Sequence, residues 1–83
     1  MTLEEAMQTK LYQHGLFPDQ AAAVMAQVKA LPNMDAVRWS GDEHQYDPAP
    51  VKAIVWMECI EQAKIWLKTN HPHHWALAMF EVM

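Results

Sequence analysis

Apolar residues recur every four positions at Leu3, Met7 and Leu11, and this spacing predicts a first helix over residues 3–14. Thr2 stands at the N-cap position and Glu5 follows three residues later, the spacing of a capping box. Gly15 ends the segment because it takes left-handed backbone without steric cost, and His14 suits the negative end of the helix dipole. A second helix is predicted over 18–31. Pro18 fits its first position, Asp19 its first turn, and Ala21, Val24, Met25, Val28 and Leu31 follow the i, i+3, i+4, i+7 pattern of a buried stripe. Ala22, Ala23 and Ala26 allow close approach of another helix, and Pro32 stops the run. These two segments read as an antiparallel hairpin with Leu16 and Phe17 packed at its bend.

The periodicity then lapses. Residues 32–48 are rich in turn formers and acids and read as a long irregular loop, a length uncommon in small domains and often functional. Within it, Trp39 and Tyr46 either pin the loop to the helices or join Asp42, Glu43 and Asp47 in a contact surface. From 49 to 69 runs a long helix, with Asp47 as its candidate cap, that is apolar almost all the way round. Its broader face carries Ala53, Val55, Trp56, Cys59, Ile60, Ala63, Trp66 and Leu67, which implies the core side. The other side carries Glu58, Glu61, Lys64 and Lys68, but also Ile54, Met57 and Ile65. There Ile54, Glu58, Glu61 and Ile65 form one ridge, two acids bracketed by apolar ends. Asn70 stops this helix, and a short, strongly apolar one is predicted over 72–82. The expected architecture is all-α: a single domain over residues 1–83, a small bundle of three to four helices with the long loop between the second and third.

Size sharpens the meaning of that excess apolar surface. Eighty-three residues bury only about 60–65% of the surface an unfolded chain exposes, so the core has little to spare. The single Cys59 forms no intramolecular disulfide and reads as a buried reduced thiol. A net charge of −4, with six dispersed bases, argues against a nucleic-acid interface. There is no run of about 18–20 apolar residues to cross a membrane, and the acidic start Met1-Thr2-Leu3-Glu4-Glu5 is unlike a secretory signal. A cytoplasmic location is expected. Seven Met and four Trp suit both an irregular core and an adaptable contact surface.

Catalytic chemistry finds little support. His71, His73 and His74 offer imidazoles, but adjacent histidines diverge on a helix and a metal site needs three or four converging donors. Ser40 has no nucleophile elbow around it, two glycines make no phosphate cradle, and the loop acids lack EF-hand spacing. Neither an enzyme nor a cofactor is expected.

Two resemblances add context. His14-Gly15-Leu16-Phe17-Pro18-Asp19-Gln20-Ala21 resembles the loop between the first helices of ubiquitin-associated domains, although His and Leu replace the Met and Phe of that family's Met-Gly-Phe-like tripeptide. That likeness implies a compact third helix straight after Pro32, where this chain has polar sequence. Over Pro48 to Phe80, a Pro-x-Pro lead into a Trp-rich helix, then His-Pro-x-His-Trp and Met79-Phe80, resembles small proteins encoded by bacteriophages and prophages. This second likeness implies a protein that binds and blocks a host protein, a CRISPR effector or another defence component among them. The expected partner-binding residues are Trp39, Asp42, Glu43, Tyr46, Asp47, Ile54, Glu58, Glu61 and Ile65. The alternatives are a homodimeric or larger structural or adaptor protein, motivated by the Ile54–Ile65 ridge, and an oligomeric sponge for a small nucleotide signal.

Overall fold

A computed structural model describes residues 1–46 and 50–82, without the side chains of Tyr46, Pro50, Glu81 and Val82. The candidate cap Asp47 lies outside the described residues. The described residues form four α-helices: α1 (Leu3–Gln13), α2 (Pro18–Lys29), α3 (Pro50–Asn70) and α4 (Trp75–Val82). The chain is all-α, and the described residues contain no strand, only one antiparallel bridge between Thr2 and Asp42.

One stripe from each helix meets at the centre. Leu3, Met7 and Leu11 of α1 join Val24, Met25 and Val28 of α2, Val55, Cys59, Ala63 and Leu67 of α3, and Ala76 and Phe80 of α4. All are sealed from solvent. The α3 helix lies against both α2 and α4. Truncating one of the larger side chains to Ala removes about 2–5 kcal/mol. A domain this small holds only about 3–5 kcal/mol in all, so single core contacts decide whether it folds.

The ends of α1 show why its boundaries fall where they do. At the N-terminus four backbone N–H groups have no intrahelical acceptor. The Thr2 N–H donates to Glu5 Oε1 (2.9 Å), and the Glu5 N–H donates to Thr2 Oγ1 (3.1 Å), completing the capping box. The Thr2 backbone N–H, and then its hydroxyl, hold the Glu5 carboxyl below its ordinary pKa. The other two N–H groups find acceptors in the long loop: Leu3 donates to the Gly41 carbonyl (2.8 Å) and Glu4 to the Trp39 carbonyl (3.0 Å). At the C-terminus Gly15 has φ 98°. Its N–H donates to Tyr12 O and the Leu16 N–H to Leu11 O, a Schellman closure, with Leu16 and Leu11 both buried in the core.

Four local expectations need correction. The second helix stops at Lys29, before the expected Leu31, because Pro32 pushes the preceding residue out of helical backbone; Leu31 has ψ 135° and leads into a 3-10 turn, Pro32–Met34. The last helix starts at Trp75, not at 72. Pro72 instead takes the second position of a turn closed by the His74 N–H on the His71 carbonyl (2.9 Å). Phe17 is not packed at the bend but exposed. Its neighbour Leu16 fills the core, while buried Gln20 caps α2 by accepting the Phe17 N–H at Oε1 (2.9 Å). Ala53, assigned to the core face of α3, is exposed near the start of the helix.

Candidate functional site

Two surfaces hold the residues singled out from the sequence, and the structure treats them differently. In the loop, Trp39 is partly buried and packs against the core, while its carbonyl caps α1. Asp42 is exposed, and its Oδ1 accepts the His44 N–H (3.0 Å), which tightens the local turn. Glu43 faces inward: its carboxylate lies 3.2 Å from Lys52 Nζ, tying the 3-10 turn Glu43–Tyr46 to α3. Beside Trp39, an open groove of about 510 Å³ is bordered by Glu4 and Lys29, which form an ion pair of 3.0 Å. The Tyr46 side chain and Asp47 lie outside the described residues. The loop acids that are described are thus partly engaged with the chain itself, and the loop's clearest work is to complete the α1 N-terminus. Nothing local in residues 38–43 signals that role, since the donors lie some forty positions away at the chain's start.

The outward face of α3 is the second surface. Ile54 is 50% exposed, Met57 65% and Ile65 51%. Glu61, also exposed, projects within about 20° of Ile54 and about 40° of Ile65 at 100° per residue. Glu58 flanks them, partly exposed. Among the described residues neither Glu58 nor Glu61 forms an ion pair. A shallow concavity of about 290 Å³ runs alongside, lined by Met57, Ile60, Glu61 and Lys64. Ile54, Glu58, Glu61 and Ile65 therefore share one open side, as their spacing implies. The loop reaches the start of α3 through the Glu43–Lys52 pair, but its residues and this ridge do not merge into one continuous site.

A third feature was not anticipated as a unit. The histidines near the end of α3 and the α1–α2 bend form an aromatic corner. The His14 ring stacks on Phe80 (centroids 5.1 Å apart, planes 6° apart) and tilts against Trp56 at 5.3 Å; its Nδ1–H donates to the Lys10 carbonyl (2.9 Å). The His74 Nε2–H donates to the Gly15 carbonyl (2.9 Å), and its ring meets the edge of Phe17 at 5.4 Å. A carbonyl oxygen only accepts, so these bonds fix which ring nitrogen carries the proton in each case. Lys10 Nζ lies 5.2 Å from the Trp56 ring centroid, a cation–π contact. The sequence signal for this corner was the pairing of a helix-ending glycine with a distant His-Trp dipeptide, visible only once α4 folds back.

What the arrangement can do chemically is narrow. Burial pushes the Cys59 thiol up to about 12, with Glu58 adding to the shift, so the sulfur is held as the unreactive thiol at neutral pH. Among the described residues no three His, Cys, Asp or Glu side chains converge on a point where a metal ion could sit. No described helix is long and apolar enough to cross a membrane. Comparison of the chain with protein-family models, with curated proteins and with solved structures returned no match.

Proposed function

We propose that this chain acts by binding, as a non-enzymatic phage-encoded inhibitor that docks on a host protein in the bacterial cytoplasm, with a CRISPR-type defence component as the target class. One observation carries the binding part of this reading. The third helix turns Ile54, Met57 and Ile65, each half exposed or more, to solvent on one side, and exposed apolar side chains gathered on one side of a helix are the kind of surface a partner covers. The phage context is carried by the resemblance over Pro48 to Phe80. Blocking by occupation asks nothing of the chain but a stable scaffold and a face, which is what the residues supply.

The test is capture from a bacterial host lysate on the immobilised chain, read by mass spectrometry, beside the double variant Ile54→Ser/Ile65→Ser. A discrete host protein retained by the parent chain and lost by the variant is the expected result. Equal retention by both, or none by either, refutes the reading.

A homo-oligomeric structural or adaptor protein is the rival reading, favoured by the exposed Ile54 and Ile65 on α3 and by exposed Trp75 and Met79 in the apolar last helix. Light scattering at micromolar concentration separates the two. A monomer removes the oligomer.

A further inference from the structure

Gln62, Ile65, Trp66, Thr69 and Asn70 recur at i, i+3, i+4, i+7 and i+8, so they share one stripe of α3. A stripe with that spacing is ordinarily apolar, because it faces a neighbouring helix. Here three of its five members are uncharged and polar, and together with Gln27 of α2 the stripe lines a concavity of about 270 Å³. Sites for drug-sized molecules run from about 300 to 1,000 Å³, so this one suits a ligand of a single small ring.

The polar groups of this wall divide into two kinds. Thr69 and Asn70 are anchored to the helix: Thr69 Oγ1 donates to the Ile65 carbonyl (3.0 Å) and Asn70 Nδ2 to the Trp66 carbonyl (2.9 Å). Both keep an oxygen that can accept a further hydrogen bond. The Gln27 and Gln62 side-chain amides have no hydrogen-bond partner among the described residues, and neither has the Trp66 indole N–H. Trp66 is partly buried against the core, and the His71 ring tilts against it at 5.2 Å, so the indole is braced on the helix. One concavity thus gathers two amides that each donate and accept, two anchored acceptors and an aromatic ring.

We propose that this concavity is a binding site for a neutral saccharide, one pyranose ring set against the Trp66 indole with its hydroxyls held by Gln27, Gln62 and Asn70. None of the six lining residues is charged. A phosphate, carboxylate or ammonium group would give up hydration there for no counter-charge. A hydroxyl both donates and accepts, and so does a carboxamide, which makes the two amides a match for neighbouring hydroxyls on a sugar. The C–H side of the ring is apolar and is covered by the indole. A nucleobase also stacks on an indole, but a base-binding pocket closes on it from two sides with aromatic or apolar groups. The side of this concavity that α2 contributes is Gln27. The site stands apart from the docking reading above and does not depend on it.

The test titrates the full ¹⁵N-labelled chain with methyl β-glucopyranoside, methyl β-galactopyranoside and N-acetylglucosamine, beside glycerol and adenosine as controls. At least one of the sugars should give saturable shifts along 62–70, at the Trp66 indole N–H and at the Gln27 side-chain amide. Its Kd should be on the order of 1 mM, as the small size of one ring implies. Gln27→Ala/Gln62→Ala should weaken it by about fivefold or more while helical circular dichroism stays as in the parent chain. Absence of saturable shifts with all three sugars overturns the proposal, as do shifts centred elsewhere or indifference to the double variant. Glycerol or adenosine binding as tightly as the best sugar overturns it too, the first by showing no ring recognition and the second by showing a base site. Lysate capture with Gln27→Ala/Gln62→Ala keeps the two readings apart, since Ile54, Met57 and Ile65 are untouched in that variant. Capture retained while sugar binding is lost means that the docking reading and the saccharide site both hold, on separate residues.

Discussion

Trp75 and Ile65 are almost equally exposed, at 55% and 51%, yet they stand in opposite situations. Trp75 belongs to the aromatic corner. Its indole lies over Gly15, where an added Cβ would fall 2.1 Å from the ring, and it is flanked by His74, which is bonded to the Gly15 carbonyl. The exposed half of Trp75 is the outer skin of an intramolecular closure that locks α4 onto the end of α1. Ile65 sits on the outward face of α3 with Ile54 and Met57, away from the stripe that fills the core. Exposure alone does not distinguish a docking residue from a structural one. What separates them is whether the buried half of the side chain holds two distant parts of the chain together.

The sharpest way to break this contrast is at Gly15. Its φ of 98° is unfavourable for any residue with a Cβ, and the space such a Cβ needs is filled by Trp75. Gly15→Ala should lose about 2 kcal/mol or more, most of the stability of so small a domain. Thermal unfolding followed by circular dichroism should show a midpoint lowered by about 10 °C or more. A midpoint within 2–3 °C of the parent would mean that the corner is loosely packed and that Trp75 is no different from Ile65.

Trp75→Ala is the next step down. It keeps the glycine backbone and removes only the ring that covers it. A loss of about 1–2 kcal/mol is expected, since about half of the side chain is buried and the contact bridges α1 to α4. Urea unfolding measures it directly. Ile65→Ala in the same experiment should change stability by less than about 0.5 kcal/mol. Equal losses at the two positions would erase the distinction.

Much of this could be read in the residues themselves. Thr2, Glu5, Gly15, Pro18 and Pro32 act locally, through caps and backbone restrictions, so the first two helices and their limits were legible to within two residues. The open side of α3 was legible too, because Ile54, Met57 and Ile65 follow from helical periodicity alone. What was hidden depends on distance in sequence. The carbonyls of Trp39 and Gly41 serve N–H groups of Leu3 and Glu4, and His74 serves Gly15; backbone acceptors leave no mark on residue identity. Phe17 misled because a large aromatic at a bend reads as packing, whereas here Leu16 takes the core position.

Cys59 tests the inner side of α3 as the isoleucines test the outer. Its pKa, raised to about 12, lies above the value near 9 of an exposed thiol, so between those pH values the unfolded chain releases a proton that the folded chain keeps. Stability is unaffected below about pH 9 and falls as pH rises from there toward 12, by about 1 kcal/mol per unit from this group. Cys59→Ala should flatten that part of the pH profile relative to the parent chain. At pH 8 the native thiol should also react with an aromatic disulfide reagent at least a hundredfold more slowly than in denaturant. Rapid native labelling would mean that the inner face opens readily, and the contrast between the two sides of α3 would lose its basis.

The smallest effect on the fold belongs to the outward face, and that smallness is what makes it informative. Ile54→Ser/Ile65→Ser removes two side chains that are already half in water and that complete no helix end and no closure. Their combined loss of stability should stay under about 1 kcal/mol, with helical circular dichroism unchanged. The apolar area they offer a partner is lost in full, because an interface counts the exposed half of each side chain and folding counts the other. If this pair unfolds the chain as Gly15→Ala does, the two isoleucines belong to the scaffold. If it leaves folding intact and abolishes capture of a host protein, folding and binding have been divided between opposite sides of one helix.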